Sequence, residues 1–421
     1  MKLKRSSLLQ FFVTLYIFIY IFLISYVPNS GTGYGLGSQF YKEGILLSFF
    51  LFLVLTFITF MQRKSVSINR HFLWFYLLII SYPFLVAFLD TNQWNSILVI
   101  IAMNLSLVFN FFLIKTYFNI DKKKYVEMIA QSIVYIGVLA VFIVFYVFFI
   151  GEISLGSFSL SYDPLYPRVS SWFGNPNRFG IFLALTNLFA IYLYLINKEN
   201  VKTKARYLLF ILLITIGLFW SGSKGAIFTF LCGLSTFYLV KKGIEINKNK
   251  NKKVLSGLTI FISFVVLIII VSSYELNNNI FSYLESNIIR LRGIESGSGR
   301  IEIWSAGLQN INTSSFFQLI IGKGHDSFLH DTGRSSHNGY LRLLYEYGFL
   351  FIALFAFFLY FCLINIFKKN KGYERALLLS QFIMLLTYNV FSQNFFQLRF
   401  ETIVLSFICS LLLFSGAKKT A

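Results

Sequence analysis

The chain has 421 residues; 57% are hydrophobic, 19% are aromatic and only 13% carry charge, about half the share of an ordinary soluble domain. That composition excludes a soluble globular fold. The formal net charge of +20 invites a nucleic-acid partner, and the invitation lapses once the charges are placed by loop.

Apolar runs long enough to cross a hydrocarbon core of about 30 Å as helices recur along the chain. In chain order they predict spans at 8–27, 44–61, 72–89, 97–114, 129–150, 179–196, 207–222, 226–240, 254–271, 349–367, 376–391 and 399–414. The expected fold is an all-α polytopic membrane protein of about twelve helices, one membrane domain over 1–421. Met1 to Arg5 is basic, but the apolar stretch behind it lacks a small-residue cleavage site, so the first span is expected to stay. Cys232, Cys362 and Cys409 all fall inside apolar runs and support neither a disulfide framework nor a zinc site.

Twenty-six of the 37 Lys and Arg lie in alternate loops that include both termini, with five acidic residues, for a net +21. The opposite loops hold 11 basic and 12 acidic residues, a net −1. The positive-inside rule then predicts both termini in the cytoplasm, and assigns the basic charge to topology and anionic lipid. Lys241 to Lys253 reads as a low-complexity cytoplasmic linker. Two loops are long and face outward, Gly151 to Asn177 and Ser272 to Gly348, the second between the ninth and tenth spans, so any chemistry is expected at the outer membrane surface. No internal repeat of the transporter kind is visible.

Four outward segments concentrate glycine and polar residues. In Gly174 to Gly180, G-N-P-N-R-F-G, Pro176 suits the first turn of a helix capped by Asn175 or Asn177, and Arg178 beside a helix N-terminus suits an anion. An ordinary capped start with a snorkelling Arg178 is the alternative. In Ser221 to Gly225, S-G-S-K-G, Lys224 lies near the outer surface among small residues that let backbone amides approach a ligand; interface anchoring is the bland reading. In Gly297 to Trp304, Arg300 and Trp304 are i and i+4 neighbours on a short helix, and the guanidinium fork suits phosphate oxygens, against the alternative of a solvated loop arginine. In Ser335 to Gly348, His337 follows two serines able to cap a helix whose apolar face is Leu341, Leu344 and Tyr345, so it either deprotonates a hydroxyl or is a satisfied structural histidine. His325, Asp326, His330 and Asp331 offer a divalent-metal alternative, but their spacing matches no standard ligand motif. Basic residues outnumber carboxylates around the four segments, which suits an anionic ligand better than a cation.

Taken together and in this order, G-N-P-N-x-x-G, S-G-S-K-G-A, G-S-G-R-x-x-x-W, I-I-G-K-G and S-S-H-N-x-x-L-x-x-x-x-x-x-G resemble the O-antigen polymerase and O-antigen ligase superfamily of bacterial membrane proteins. The family pattern usually carries arginine at the position of Lys224, which keeps the charge but lacks the bidentate fork. The resemblance implies a metal-independent glycosyltransferase of the bacterial inner membrane with no cofactor, an all-helical bundle whose partly helical outer loop, 272–348, is catalytic. It would use undecaprenyl-diphosphate-linked oligosaccharide on the outer face, with Arg300, Lys224 and Arg178 on the diphosphate. His337 would be the base, and Asn175, Asn177, Trp304 and Asn338 would support it. The first expectation is a polymerase of surface polysaccharide working beside a flippase and a chain-length regulator. A ligase moving finished glycan to lipid A core is the close alternative, and a lipid-linked oligosaccharide flippase is a different class. A flippase should place ionisable residues in mid-span, whereas here they gather at the outer surface.

Overall fold

The computed structural model describes residues 2–25, 41–61, 68–87, 94–150, 152–155, 158–161, 169–197, 200–246, 300–392 and 400–413. They form helices α1 (Lys2–Ser25), α2 (Tyr41–Met61), α3 (Arg70–Ala87), α4 (Trp94–Tyr117), α5 (Lys122–Ile150), α6 (Pro176–Ile196), α7 (Val201–Trp220) and α8 (Lys224–Ile246). The short helices α9 (Arg300–Asn312), α10 (Phe316–Ile321) and α11 (Ser327–Thr332) follow, then α12 (Gly339–Lys369), α13 (Gly372–Tyr388) and α14 (Phe400–Leu413). Each expected span except the ninth coincides with one of these helices; 254–271 lies outside the described residues.

Six helices, α1, α2, α5, α6, α7 and α12, are long and apolar enough to cross a membrane. The outer surface agrees, because Phe57, Phe60, Trp74 and Phe149 point away from the bundle, as side chains in contact with lipid do and those facing water rarely do. Helix α6 is the central post: 78% of its most apolar stretch is buried, packed by α5, α7, α8 and α13, whereas α2 at 28% lies on the periphery.

The all-α architecture holds among the described residues, with one short ribbon in the first long loop, where Glu152–Leu155 and Phe158–Ser161 pair antiparallel. Loop backbone that leaves a helix must still satisfy its N–H and C=O groups, and a ribbon does so locally.

The loops that the charge pattern places on one side meet at one end of the bundle. Lys122 Nζ donates to Asn370 Oδ1 at 2.6 Å, Asn69 N to the Leu413 carbonyl at 2.7 Å, and Lys241 stands over the Tyr373 ring. The described polar segments meet at the opposite end, where Tyr388 Oη donates to the Asn177 carbonyl at 3.0 Å and Gly339 N to the Asn389 carbonyl at 2.7 Å.

Helix α12 is two helices in one run. At Gly348 the backbone leaves helical geometry (φ 72°, ψ −178°), separating a loop segment from the stretch after it that reads as the span. The cause is a backbone crossing: Gly322 at φ 100° and Gly348 face each other, so that a Cβ on Gly322 would run into the Glu346 carbonyl and one on Gly348 into the Ile320 carbonyl. Glycine alone tolerates both the φ values and the approach.

Candidate functional site

Asn175 is the N-cap of α6; its side chain accepts from Asn177 N at 2.8 Å and Arg178 N at 3.4 Å, with Pro176 behind it. The turn before it is seated by Trp172, buried and stacked on Phe173, against Phe18 and Phe22 of α1. One turn into α6, Gly180 lies against Ser221 and Ser223, where an added Cβ would stand 2.7 Å from each. The small residues of the first two polar segments are therefore needed to bring those segments together.

Arg178 is half-buried and within electrostatic range of Tyr388 and of Glu401, a buried carboxylate at the start of α14. Arg300 opens α9, and it too interacts with Tyr388. Burial lowers the pKa of the Arg300 guanidinium and Tyr388 opposes the shift. Since arginine keeps its proton in proteins, the result is a partly desolvated cation that an anion would stabilise. Two guanidinium groups from segments far apart in sequence thus lie within electrostatic range of one phenol. Lys224 is exposed at the first position of α8, next to Gly225, which is packed on Phe391.

His337 is exposed and held in the left-handed region, φ 47°, which non-glycine residues seldom occupy. Its neighbours are fixed on both sides. Trp304 Nε1 donates to the Ser336 carbonyl at 2.8 Å, and the Asn389 carbonyl receives Gly339 N. The expected serine cap is replaced by Asn338, whose Oδ1 accepts from Tyr340 N and Leu341 N, both at 3.0 Å. Serine 336 instead donates to the Asn338 carbonyl at 2.9 Å, tightening the turn that carries the histidine.

The helix after His337 buries the expected face only in part. Tyr345 is inside, with Leu343 and Tyr347, whereas Leu341 and Leu344 are only partly buried and Arg342 and Glu346 are inside as well. Arg342 Nε donates to Glu346 Oε1 at 2.9 Å and Nη2 to Asp326 Oδ1 at 3.1 Å, so an ion-paired group shares the buried face with the apolar residues. Around it, His325 Nδ1 shares a hydrogen bond of 2.6 Å with Tyr347 Oη, and burial and Arg342, opposed by Asp326, push the His325 pKa down to about 4.

This arrangement separates the four residues of the metal alternative. His330 is exposed, and Asp331 accepts from Tyr345 Oη at 2.5 Å and pairs with Lys323. Among the described residues, His325, Asp326 and Glu346 instead bring ligand atoms within 4.8 Å of one another. Arg342 already supplies positive charge to both carboxylates there, which disfavours a further cation.

The segments are joined by Tyr388, Asn389, Phe391 and Ser392, with Glu401 close to Arg178 electrostatically, and the motifs single out none of them: the first three fall inside the eleventh expected span, Ser392 just past its end and Glu401 inside the twelfth. Two signals mark them in the sequence: the polar residues Asn389, Ser392, Gln393 and Asn394 at the end of the eleventh span, and a carboxylate, Glu401, inside the last one. No family model matches the chain, and no curated protein matches it.

Proposed function

We propose that the protein is a glycosyltransferase of surface-polysaccharide assembly, a polymerase that transfers glycan from undecaprenyl diphosphate to a hydroxyl of a lipid-linked repeat unit. The observation that carries the proposal is that hydrogen bonds join the segments: the backbone on either side of His337 is tied to Trp304, one turn from Arg300, and to Asn389, whose neighbour Tyr388 donates to the Asn177 carbonyl beside Arg178. In the reaction, the bond from the anomeric carbon to the diphosphate oxygen breaks and a bond to the acceptor oxygen forms. Undecaprenyl diphosphate leaves with its electron pair, steadied by the arginines and by Lys224, and the acceptor proton passes to the His337 imidazole. Diphosphate is a good leaving group once its charge is matched, so these cations can serve where other transferases use a metal. The full arrangement is twelve spans with both termini cytoplasmic, which puts this end of the bundle outside, where the lipid-linked units are displayed.

The test is glycan length in cells producing variants that still insert. Arg300→Ala should abolish polymerisation, and Lys224→Arg should be tolerated better than Lys224→Ala. Near-normal glycan length with Arg300→Ala refutes the assignment. Normal repeat polymer that fails to reach its final acceptor would instead favour the ligase.

A further inference from the structure

The outer loop carries an apolar surface that the transfer reaction does not use. Phe316 and Phe317, the first two residues of α10, are 80% and 58% exposed, outside every expected span. They stand in the middle of Ile303 to Gly322, twenty consecutive residues without Asp, Glu, Lys, Arg or His; the next twenty residues contain eight of them.

The level of this surface is fixed by the backbone crossing. Ile320 and Gly322 abut Gly348, and immediately beyond it Lys323 N and Gly324 N donate to the carbonyls of Tyr345 and Glu346 at 3.1 and 3.0 Å. Leu319 lines a depression with Leu344 and Phe349. Phe349 and Leu350, the first residues of the spanning stretch, are themselves exposed. A six-residue helix is about 9 Å long, so Phe316 and Phe317 cannot be more than roughly that distance from the level at which the span begins. The interfacial layer on each side of the hydrocarbon is itself about 5–8 Å thick.

The helix end is also built for a poorly hydrated setting. Ser315 and Gln318 form a reciprocal capping box, Ser315 N to Gln318 Oε1 at 3.1 Å and Gln318 N to Ser315 Oγ at 3.3 Å, which satisfies backbone donors that water would otherwise have to serve. We propose that Phe316 and Phe317 insert into the interface of the adjacent lipid leaflet, so that α10 holds the outer loop against the membrane surface. The apolar exposure, the absence of charge and the continuity with the lipid-facing start of the span all favour lipid as the occupant over a second protein chain.

The experiment is spin labelling of the full chain in lipid nanodiscs. Cys232 is replaced by alanine; Cys362 and Cys409 are buried and stay. Labels go at Phe317→Cys and, in case that variant folds poorly, Phe316→Cys. Arg334→Cys serves as an exposed loop reference and Leu53→Cys as a lipid-facing one. The expected result is that the label at 317 or 316 collides more with oxygen than with a water-soluble nickel complex, as at position 53 but less deeply, with the opposite order at 334. A label that matches the order at 334 overturns the proposal. So does one shielded from both reagents with dipolar broadening, which would mean that a second copy of this chain covers the surface.

Discussion

His337 combines an exposed side chain with a left-handed backbone that its neighbours hold in place. Strain of this kind costs on the order of 1–3 kcal/mol and persists only where surrounding contacts over-determine it, here Trp304 on one side and Asn389 on the other. Loss of a general base typically costs about 10² to 10⁴ in rate. His337→Ala should therefore leave lipid-linked single units accumulating, whereas His330→Ala, at an exposed position, should polymerise normally; glycan ladders from the two strains check this. His325 behaves differently because it is buried. Its folded pKa is depressed to about 4 from 6.5, so as pH falls the unfolded chain takes up the proton first. Its stabilisation is complete above about pH 6.5 and is lost as pH falls towards 4, a change on the order of 3 kcal/mol. Thermal unfolding of the purified protein should show wild type losing stability over that window more steeply than His325→Gln. Composition and spacing mark His325 and His337 alike; only burial and partners separate a structural imidazole from a candidate base.

Single elements were legible where local chemistry decides them. The cap at Asn175 with Pro176 behind it, the helix opened by Arg300 and the span beginning after Gly348 all appear where the sequence puts them, because each depends on a few adjacent residues. The buried face of the segment after His337 did so only in part: Tyr345 is inside, but so are Arg342 and Glu346, held by a contact to Asp326, which lies sixteen residues before Arg342. The two-stranded ribbon escaped for the same reason: pairing between short segments leaves no helical or long apolar signature. The Gly322 and Gly348 crossing ties the described loop helices to the start of the span. Gly348→Ala should cost at least about 1–2 kcal/mol for the left-handed backbone alone, with the collision at the Ile320 carbonyl in addition. Hydrogen exchange over residues 316–347 should then rise well above wild type while the amides of α6 keep their protection.

For the whole molecule, a greasy bundle with a lysine-rich end was readable from apolar runs and loop charge, since both are additive properties of composition. The assembly of the candidate site was not, because Tyr388 to Ser392 and Glu401 look like span residues until the helices are packed. Packing turns a list of weak motifs into one location, with two desolvated cations and a fixed imidazole at the end opposite the lysines. That location is expected to act on a lipid diphosphate without a metal. The most direct measurement is chain elongation by the purified protein from lipid-linked repeat units, with and without EDTA. Elongation that releases undecaprenyl diphosphate and proceeds undiminished in EDTA is the predicted result; no elongation, or elongation lost in EDTA and restored by a divalent ion, would contradict the account.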